Sequence, residues 1–161
     1  MGVSNKIVVS RRALVLGLAA VVATGASASS PPRVLFICQF GTAKSAIARE
    51  FFRRRARERG ISVTAFSRGL TLEDHISSPL GAALRAEGID PAHDRPQVLT
   101  RRDLRAAGIV VVFNPVPATL GPVAARNWTA LPSVNENWPA ARAELVQRID
   151  VLLDEIAKRR R

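Results

Sequence analysis

The sequence predicts one α/β domain with a four-stranded parallel sheet and helices on both faces. Short apolar runs at 34–37 and 109–113 are typical of strands buried on both sides. Segments with helical spacing separate the strands, and such alternation along a chain is typical of a parallel sheet. The length of 161 residues and the 47% hydrophobic content suit a single domain with its own core.

The first half of the domain is predicted as strand, helix, strand and helix. The strand at 34–37 leads into a loop that begins at Cys38, and a helix follows over about 44–58. Apolar residues spaced four apart give that helix one buried face, and its arginines and glutamates occupy the other. A second strand is expected at 62–66. The second helix is expected to start with Ser78 as its cap, followed by Pro79, and to end at Gly88.

The second half is predicted as a short helix, two strands and a long helix. Thr100 and Asp103 resemble a capping box and indicate a short helix to 107. The strand at 109–113 follows, and a fourth strand is expected at 128–131. Prolines and a glycine within 115–121 argue against a helix between those two strands. The last helix begins at Pro139, and its apolar stripe is typical of a core-facing surface: Leu145, Ile149, Leu152, Leu153 and Ile156.

The N-terminal 28 residues have the layout of an export signal. Lys6, Arg11 and Arg12 form a basic start, residues 13–24 are apolar, and small residues at 26–28 offer a cleavage site. A retained membrane anchor is the alternative, but the apolar run is shorter than the roughly 20 residues of a span. The paired arginines resemble a twin-arginine signal, although they also suit an ordinary one. We expect a cleaved signal over 1–28, a periplasmic domain over 29–161, and no membrane attachment after cleavage.

The formal net charge of +11 bears on the choice of partners. Many of the positive charges are arginines of the helix over 44–58 and basic residues of the tail at 158–161. Such a charge is compatible with nucleic acid, but the export signal, the 5% aromatic content and the lack of a nucleic-acid motif argue against that partner. Solvated arginine faces on helices explain the charge more simply. The charge still attracts anionic substrates.

Cys38 is the only cysteine, so an intrachain disulfide is excluded. It ends the first strand, and parallel sheets bind their ligands at the carboxyl ends of strands. The loop to Ser45 then enters a helix, whose N-terminal amides and dipole favour an anion. The same field favours a thiolate at Cys38, which would be a nucleophile facing a bound phosphate. A small buried apolar side chain is the alternative role for such a cysteine.

The loop and its surroundings resemble the low-molecular-weight protein tyrosine phosphatases. A cysteine, five residues, a basic residue and a serine stand between the first strand and the first helix. Further similarity lies in Ser67-Arg68-Gly69, in residues 88–104 and around 128–132, so that the resemblance extends over 33–157. It implies the phosphotyrosine phosphatase I-like fold, within a superfamily shared with thioredoxin-coupled arsenate reductases.

The resemblance also implies roles for the loop residues. Cys38 would attack the phosphate and form a thiophosphate intermediate, and the Ser45 hydroxyl would stabilise the thiolate when it leaves. Lys44 stands at the position of the family's arginine. The implied phosphate-binding residues run along the loop: Gln39, Phe40, Gly41, Thr42, Ala43, Lys44 and Ser45. Neither a metal nor a cofactor is expected.

Three departures from the family pattern affect this chemistry. Lys44 lacks the planar fork with which arginine grips two oxygens. Phe40-Gly41 replaces the family's Gly-Asn, and Gly41 offers a left-handed backbone without side-chain hydrogen bonds. Ser133 aligns with the general-acid aspartate but is a poor proton donor. Glu136 is the candidate substitute acid.

Three functions remain open on this basis. The first is a phosphatase acting on a phosphorylated protein, at phosphotyrosine, or on a small phosphate ester. The second is a non-catalytic oxyanion-binding pseudophosphatase, which Lys44 and Ser133 favour. The third is an arsenate reductase, which would need an external thiol because Cys38 stands alone. Inorganic oxyanions are expected ligands in all three. Of the two histidines, His93 is expected to be structural and His75 to be an exposed loop residue.

Overall fold

The computed structural model describes residues 1–2 and 30–160. Apart from its first two residues, the predicted export signal over 1–28 lies outside the described residues, so its cleavage stays a prediction. Within the described part of the chain, no helix has both the length and the apolar character that crossing a membrane requires.

Four parallel strands form one sheet in the order β2-β1-β3-β4. The central strands are β1 (Arg33–Cys38) and β3 (Ile109–Val112), flanked by β2 (Thr64–Gly69) and β4 (Ala125–Asn127). All three neighbouring pairs are parallel, so the predicted four-stranded sheet is confirmed. Cys38 therefore lies at the carboxyl end of a central strand, paired with Gly69 at the end of β2.

Helices cover both faces of the sheet. They are α1 (Lys44–Glu58), α2 (Ser78–Ala86), α3 (Arg101–Ala106) and α4 (Trp138–Lys158), with a single 3-10 turn at Ala118–Leu120. Alternate residues of β1 explain the two-sided core, because successive strand side chains point to opposite faces. Val34 and Phe36 pack with α1, α2 and α4, whereas Leu35 and Ile37 pack with β3 and Leu104 of α3.

The helix ends confirm one predicted cap and correct another. Thr100 and Asp103 form a complete capping box at the start of α3, as the sequence predicts. The cap of α2 is Ser77 rather than Ser78, since the Ser77 hydroxyl accepts from the backbone N–H of Leu80. Ser78 is the first residue of that helix.

The fourth strand lies at Ala125–Asn127, so the predicted strand at 128–131 is wrong. Trp128 follows the strand, and its N–H donates to the carbonyl of Val112 at 2.8 Å. Its ring packs against Phe36 and Phe113, with centroids 6.0 and 5.8 Å apart. The apolar residues of this segment thus enter the core from a turn instead of pairing in the sheet.

The second strand starts and ends later than the predicted 62–66. Ser67 and Arg68, near its carboxyl end, break the apolar pattern and yet pair with β1. Both polar side chains are accommodated by ionic partners. Ser67 accepts from Arg49 at 2.8 Å, and Arg68 pairs with Asp103 at 2.8 Å.

Arg49 departs from the predicted solvated arginine face of α1. Arg49 is only 1% exposed, although its side chain is charged. One guanidinium nitrogen donates to Ser67 Oγ at 2.8 Å, another to the carbonyl of Pro91 at 2.9 Å, and the third pairs with Glu50 at 2.8 Å. The side chain therefore ties α1 to β2 and to the segment that follows α2.

Replacing Arg49 by methionine is expected to lower the free energy of unfolding by about 3–5 kcal/mol, because buried partners are left without their charged donor. Arg57 is the matched control: it lies on the same helix and is exposed. Arg57→Met should change the stability by no more than about 0.5 kcal/mol. Urea denaturation followed by circular dichroism compares the two variants. Equal losses would contradict a structural role specific to Arg49.

Candidate active site

The loop between β1 and α1 spans the five residues from Gln39 to Ala43. Gly41 has a φ of +72°, the left-handed backbone expected of it. A Cβ at this position would come within 2.9 Å of the Gly69 nitrogen. The loop is therefore pressed against the end of β2, and only glycine permits that close approach.

The Cys38 sulfur lies at the centre of a small hydrogen-bonding cluster. Its Sγ is 3.0 Å from the hydroxyl of Ser45 and accepts the N–H of Gly41 at 3.2 Å. Cys38 is 4% exposed and Ser45 is 0% exposed. The thiol and the Ser45 hydroxyl can each be the donor in their contact, and the Gly41 N–H donates to the sulfur, so Sγ has two hydrogen-bonding neighbours.

The loop amides divide into two groups. The N–H of Gln39 donates to Asn114 Oδ1 at 2.9 Å, and that of Gly41 donates to Sγ. The remaining amides have no acceptor within residues 1–2 and 30–160; they belong to Phe40, Thr42, Ala43, Lys44 and Ser45. Because unpaired N–H groups at a helix N-terminus attract anions, this second group suits a phosphate or a similar oxyanion.

A cavity of about 210 Å³ opens beside the thiol. Ten residues from four segments line it: Cys38, Gln39, Phe40, Ala43, Lys44, His75, Asn114, Ser133, Val134 and Asn135. Gly41, Thr42 and Ser45, which are also predicted phosphate-binding residues, are outside this lining. A larger open groove, of about 720 Å³, runs along α4 but contains none of the loop residues.

Lys44, which lines the cavity, connects the loop to the segment that precedes Ser133. Its Nζ donates to the carbonyl of Leu131 at 3.1 Å. An ammonium group has three N–H donors, so this bond leaves two for an anion in the cavity. The backbone position of Leu131 thereby sets where the charge lies, a contact that the sequence did not indicate.

His75 is one of four cavity residues that the sequence did not place at the site, the others being Asn114, Val134 and Asn135. His75 is exposed, as predicted, but its ring lies against Phe40 with centroids 4.6 Å apart. No local motif marks it, since the loop and residue 75 are distant in sequence. Only the packing of the segment between β2 and α2 against the loop brings His75 to the cavity.

Carboxylates are missing from the cavity lining in the described part of the chain. Ser133 lines the cavity, whereas Glu136, the candidate substitute acid, is exposed and lies outside the lining. His93 is exposed and also outside it. Within residues 1–2 and 30–160, no group of three or more histidine, cysteine, aspartate or glutamate side chains is arranged to hold a metal.

An ion pair between Arg68 and Asp103 stabilises the end of β2 that contacts the loop. The Ser45 hydroxyl lies 3.4 Å from the carbonyl of Arg68, whose side chain pairs with Asp103. Burial raises the pKa of Asp103, but hydrogen bonds from Thr100 and Arg68 outweigh it and leave the pKa below its ordinary value. Asp103 is therefore a stable negative partner that holds the end of β2 under the loop.

Comparisons with known proteins agree with this architecture. The family model described as low molecular weight phosphotyrosine protein phosphatase matches residues 33–119. No curated protein matches the chain in sequence. In structure, the chain is similar to YfkJ from Bacillus subtilis, with a TM-score of 0.69 and 18% identity over 83% of this chain and 99% of that one.

Two further solved structures share the fold. A low molecular weight protein tyrosine phosphatase from T. tengcongensis has a TM-score of 0.56 and 22% identity, over 77% of this chain and 99% of that one. A thioredoxin-dependent arsenate reductase from Corynebacterium glutamicum has a TM-score of 0.61 and 24% identity, over 81% of this chain and 64% of that one. Identities this low establish similarity of fold.

Proposed function

Because the chain belongs to the low molecular weight phosphotyrosine protein phosphatase family, we propose that it hydrolyses phosphate monoesters with Cys38 as the nucleophile. One observation carries the proposal: the buried thiol accepts the Gly41 N–H and is hydrogen-bonded to the Ser45 hydroxyl, beside a row of unpaired amides. This arrangement joins an activated nucleophile to an oxyanion site. The substrate class is a phosphorylated protein, at phosphotyrosine, or a small phosphate ester.

The reaction has two displacement steps at phosphorus. In the first, the Cys38 thiolate forms an S–P bond while the P–O bond to the leaving group breaks, and the leaving oxygen keeps the electron pair. In the second, water attacks phosphorus and displaces the sulfur, which recovers its electron pair; the proton that the water loses balances the one that the leaving oxygen takes up. Gly41 N–H and Ser45 Oγ stabilise the returning thiolate, and the unpaired amides hold the phosphoryl oxygens throughout.

Lys44 supplies the positive charge that the transferring phosphoryl group needs. A lysine ammonium is a point charge and cannot form the planar bidentate hydrogen bonds of an arginine. It therefore neutralises the phosphoryl charge but orients the group less strictly. Its bond to the Leu131 carbonyl partly compensates, since it fixes the position of the ammonium. We therefore infer slower catalysis than an arginine at this position would support.

Hydrolysis of para-nitrophenyl phosphate by the purified protein tests the proposal. We expect turnover, together with a rise in melting temperature when inorganic phosphate is added, because the unpaired amides bind it in the folded state only. Folded protein without turnover, even after reduction of Cys38, would contradict the phosphatase.

A non-catalytic oxyanion-binding protein is the second candidate. The observation in its favour is that no carboxylate lines the described cavity, and general acids typically contribute about 10²–10⁴ to such rates. Stabilisation by phosphate without turnover is the result that this candidate predicts. Arsenate reduction would need an added thiol, since Cys38 is the only cysteine.

We also propose that the protein acts in the periplasm after removal of residues 1–28. The support is the basic, apolar and small-residue order of that segment. Cell fractionation with determination of the mature N-terminus tests it. Full-length protein in the cytoplasm would contradict export.

A further inference from the structure

The proposed phosphatase lacks an obvious proton donor for its leaving group. A departing alkoxide or phenolate is a strong base, and protonation in the transition state accelerates its loss. Ser133, Asn114, Asn135 and Gln39 line the cavity but do not exchange protons near neutral pH. Cys38 is the nucleophile, and the Lys44 ammonium is occupied by Leu131 and the phosphoryl group.

His75 is the remaining proton-exchanging side chain in the lining of the described cavity. Histidine is the side chain best suited to accept and release protons near neutral pH. Neither of its ring nitrogens has a hydrogen-bond partner among residues 1–2 and 30–160. Both nitrogens are therefore available to a bound substrate.

The backbone of His75 is hydrogen-bonded to residues on two sides of the cavity. Its N–H donates to Thr42 Oγ1 at 3.2 Å, and the Thr42 hydroxyl donates to the carbonyl of Glu73 at 2.6 Å. On the other side, Asn135 Nδ2 donates to the carbonyl of His75 at 2.8 Å. The phosphate loop and the loop before α4 thus hold the residue between them.

The ring of His75 is positioned by Phe40. This phenylalanine stands where the family pattern has the smaller glycine. The tilted contact, with centroids 4.6 Å apart and planes at 46°, supports one side of the imidazole. Stacking of this kind restricts the ring to fewer orientations. Phe40 and His75 therefore form one rim of the cavity that contains the thiol.

We propose that His75 is the proton donor to the leaving group, an inference that rests on the proposed phosphatase function. As the thiolate attacks and the P–O bond breaks, the imidazolium transfers a proton to the leaving oxygen and becomes neutral imidazole. In the second step that imidazole takes a proton from the attacking water, and the P–S bond breaks to release phosphate. The thiolate and the imidazolium are both regenerated.

The dependence of the rate on the leaving group tests this role. The wild-type protein and His75→Gln are compared on phenyl phosphate and 2,4-dinitrophenyl phosphate, with kcat/KM as the readout because it reports the first step. Phenolate needs a proton, whereas dinitrophenolate leaves without one. We expect kcat/KM of His75→Gln to fall about 100-fold for phenyl phosphate and less than about tenfold for the dinitrophenyl ester.

The control is His93→Gln, which removes the other histidine, exposed and outside the cavity. It should leave both rates unchanged. Equal losses on the two esters, or no loss on either, would overturn His75 as the donor while the phosphatase stands. Wild-type protein inactive on both esters would overturn the phosphatase itself. Phosphate-dependent stabilisation of His75→Gln verifies that the loop is intact in the variant.

Discussion

Replacing Cys38 by serine is expected to reduce hydrolysis of aryl phosphates by about a thousandfold or more, because loss of a catalytic nucleophile typically removes most of the rate enhancement. A serine hydroxyl is almost entirely protonated at neutral pH and has no general base beside it: its neighbours are the Ser45 hydroxyl and the Gly41 amide. Neither group can remove its proton.

The same variant should still bind phosphate. The unpaired amides of the loop belong to the backbone and do not depend on the thiol. A serine oxygen can also accept the Gly41 N–H in place of the sulfur, so phosphate should bind about as tightly as in the wild-type protein.

Two measurements separate the outcomes for Cys38→Ser. Steady-state hydrolysis reports catalysis, and the melting temperature with phosphate, against chloride at equal ionic strength, reports binding. Lost turnover with retained stabilisation supports Cys38 as nucleophile. Retained turnover would mean that another group attacks phosphorus.

Replacing Gly69 by alanine is expected to distort the active-site loop and to lower the free energy of unfolding by about 3 kcal/mol or more. A Cβ at Gly69 would overlap the carbonyl oxygen of Thr71 and come within 2.8 Å of the Gly41 nitrogen. Both are backbone atoms, which cannot rotate away as a side chain can.

The clash at residue 69 would be transmitted to the active-site loop through the backbone at the end of β2. Gly69 donates its N–H to Gln97 at 3.0 Å, and the next residue, Leu70, donates to the carbonyl of Cys38 at 3.1 Å. A shift of this segment moves the Gly41 amide away from the sulfur. We therefore expect Gly69→Ala to lose stabilisation by phosphate as well as hydrolysis.

Gly108→Ala is the matched control for this prediction. A Cβ at Gly108 would meet its nearest atom, the Arg33 carbonyl oxygen, at 3.7 Å, an ordinary contact distance. Chemical denaturation and phosphate-dependent melting compare the two variants. Similar stability and similar phosphate binding in both would show that the backbone around Gly69 has room to adjust.

The predictability of the site differs from residue to residue. The Cys38–Ser45 segment was recognisable because a strand, a tight loop and a helix N-terminus are consecutive in the chain. His75 could not be anticipated, since its place beside Phe40 depends on two segments that meet only in the folded protein. Glu136 is the substitute-acid candidate because it is the only acidic residue between Asn114 and Arg142 in the sequence, yet it is exposed and does not line the cavity.

The sequence by itself determined the alternation of strands and helices, the capping box of α3 and the phosphate loop, because each depends on periodicity or on hydrogen bonds between near neighbours. The tertiary structure decided the burial of Arg49, the position of β4 and the contact of Lys44 with Leu131. Each of these depends on a partner distant in sequence. The sequence shows that a charged side chain needs a hydrogen-bonding partner and that an apolar one needs burial. Only the packing of distant segments decides which groups provide them.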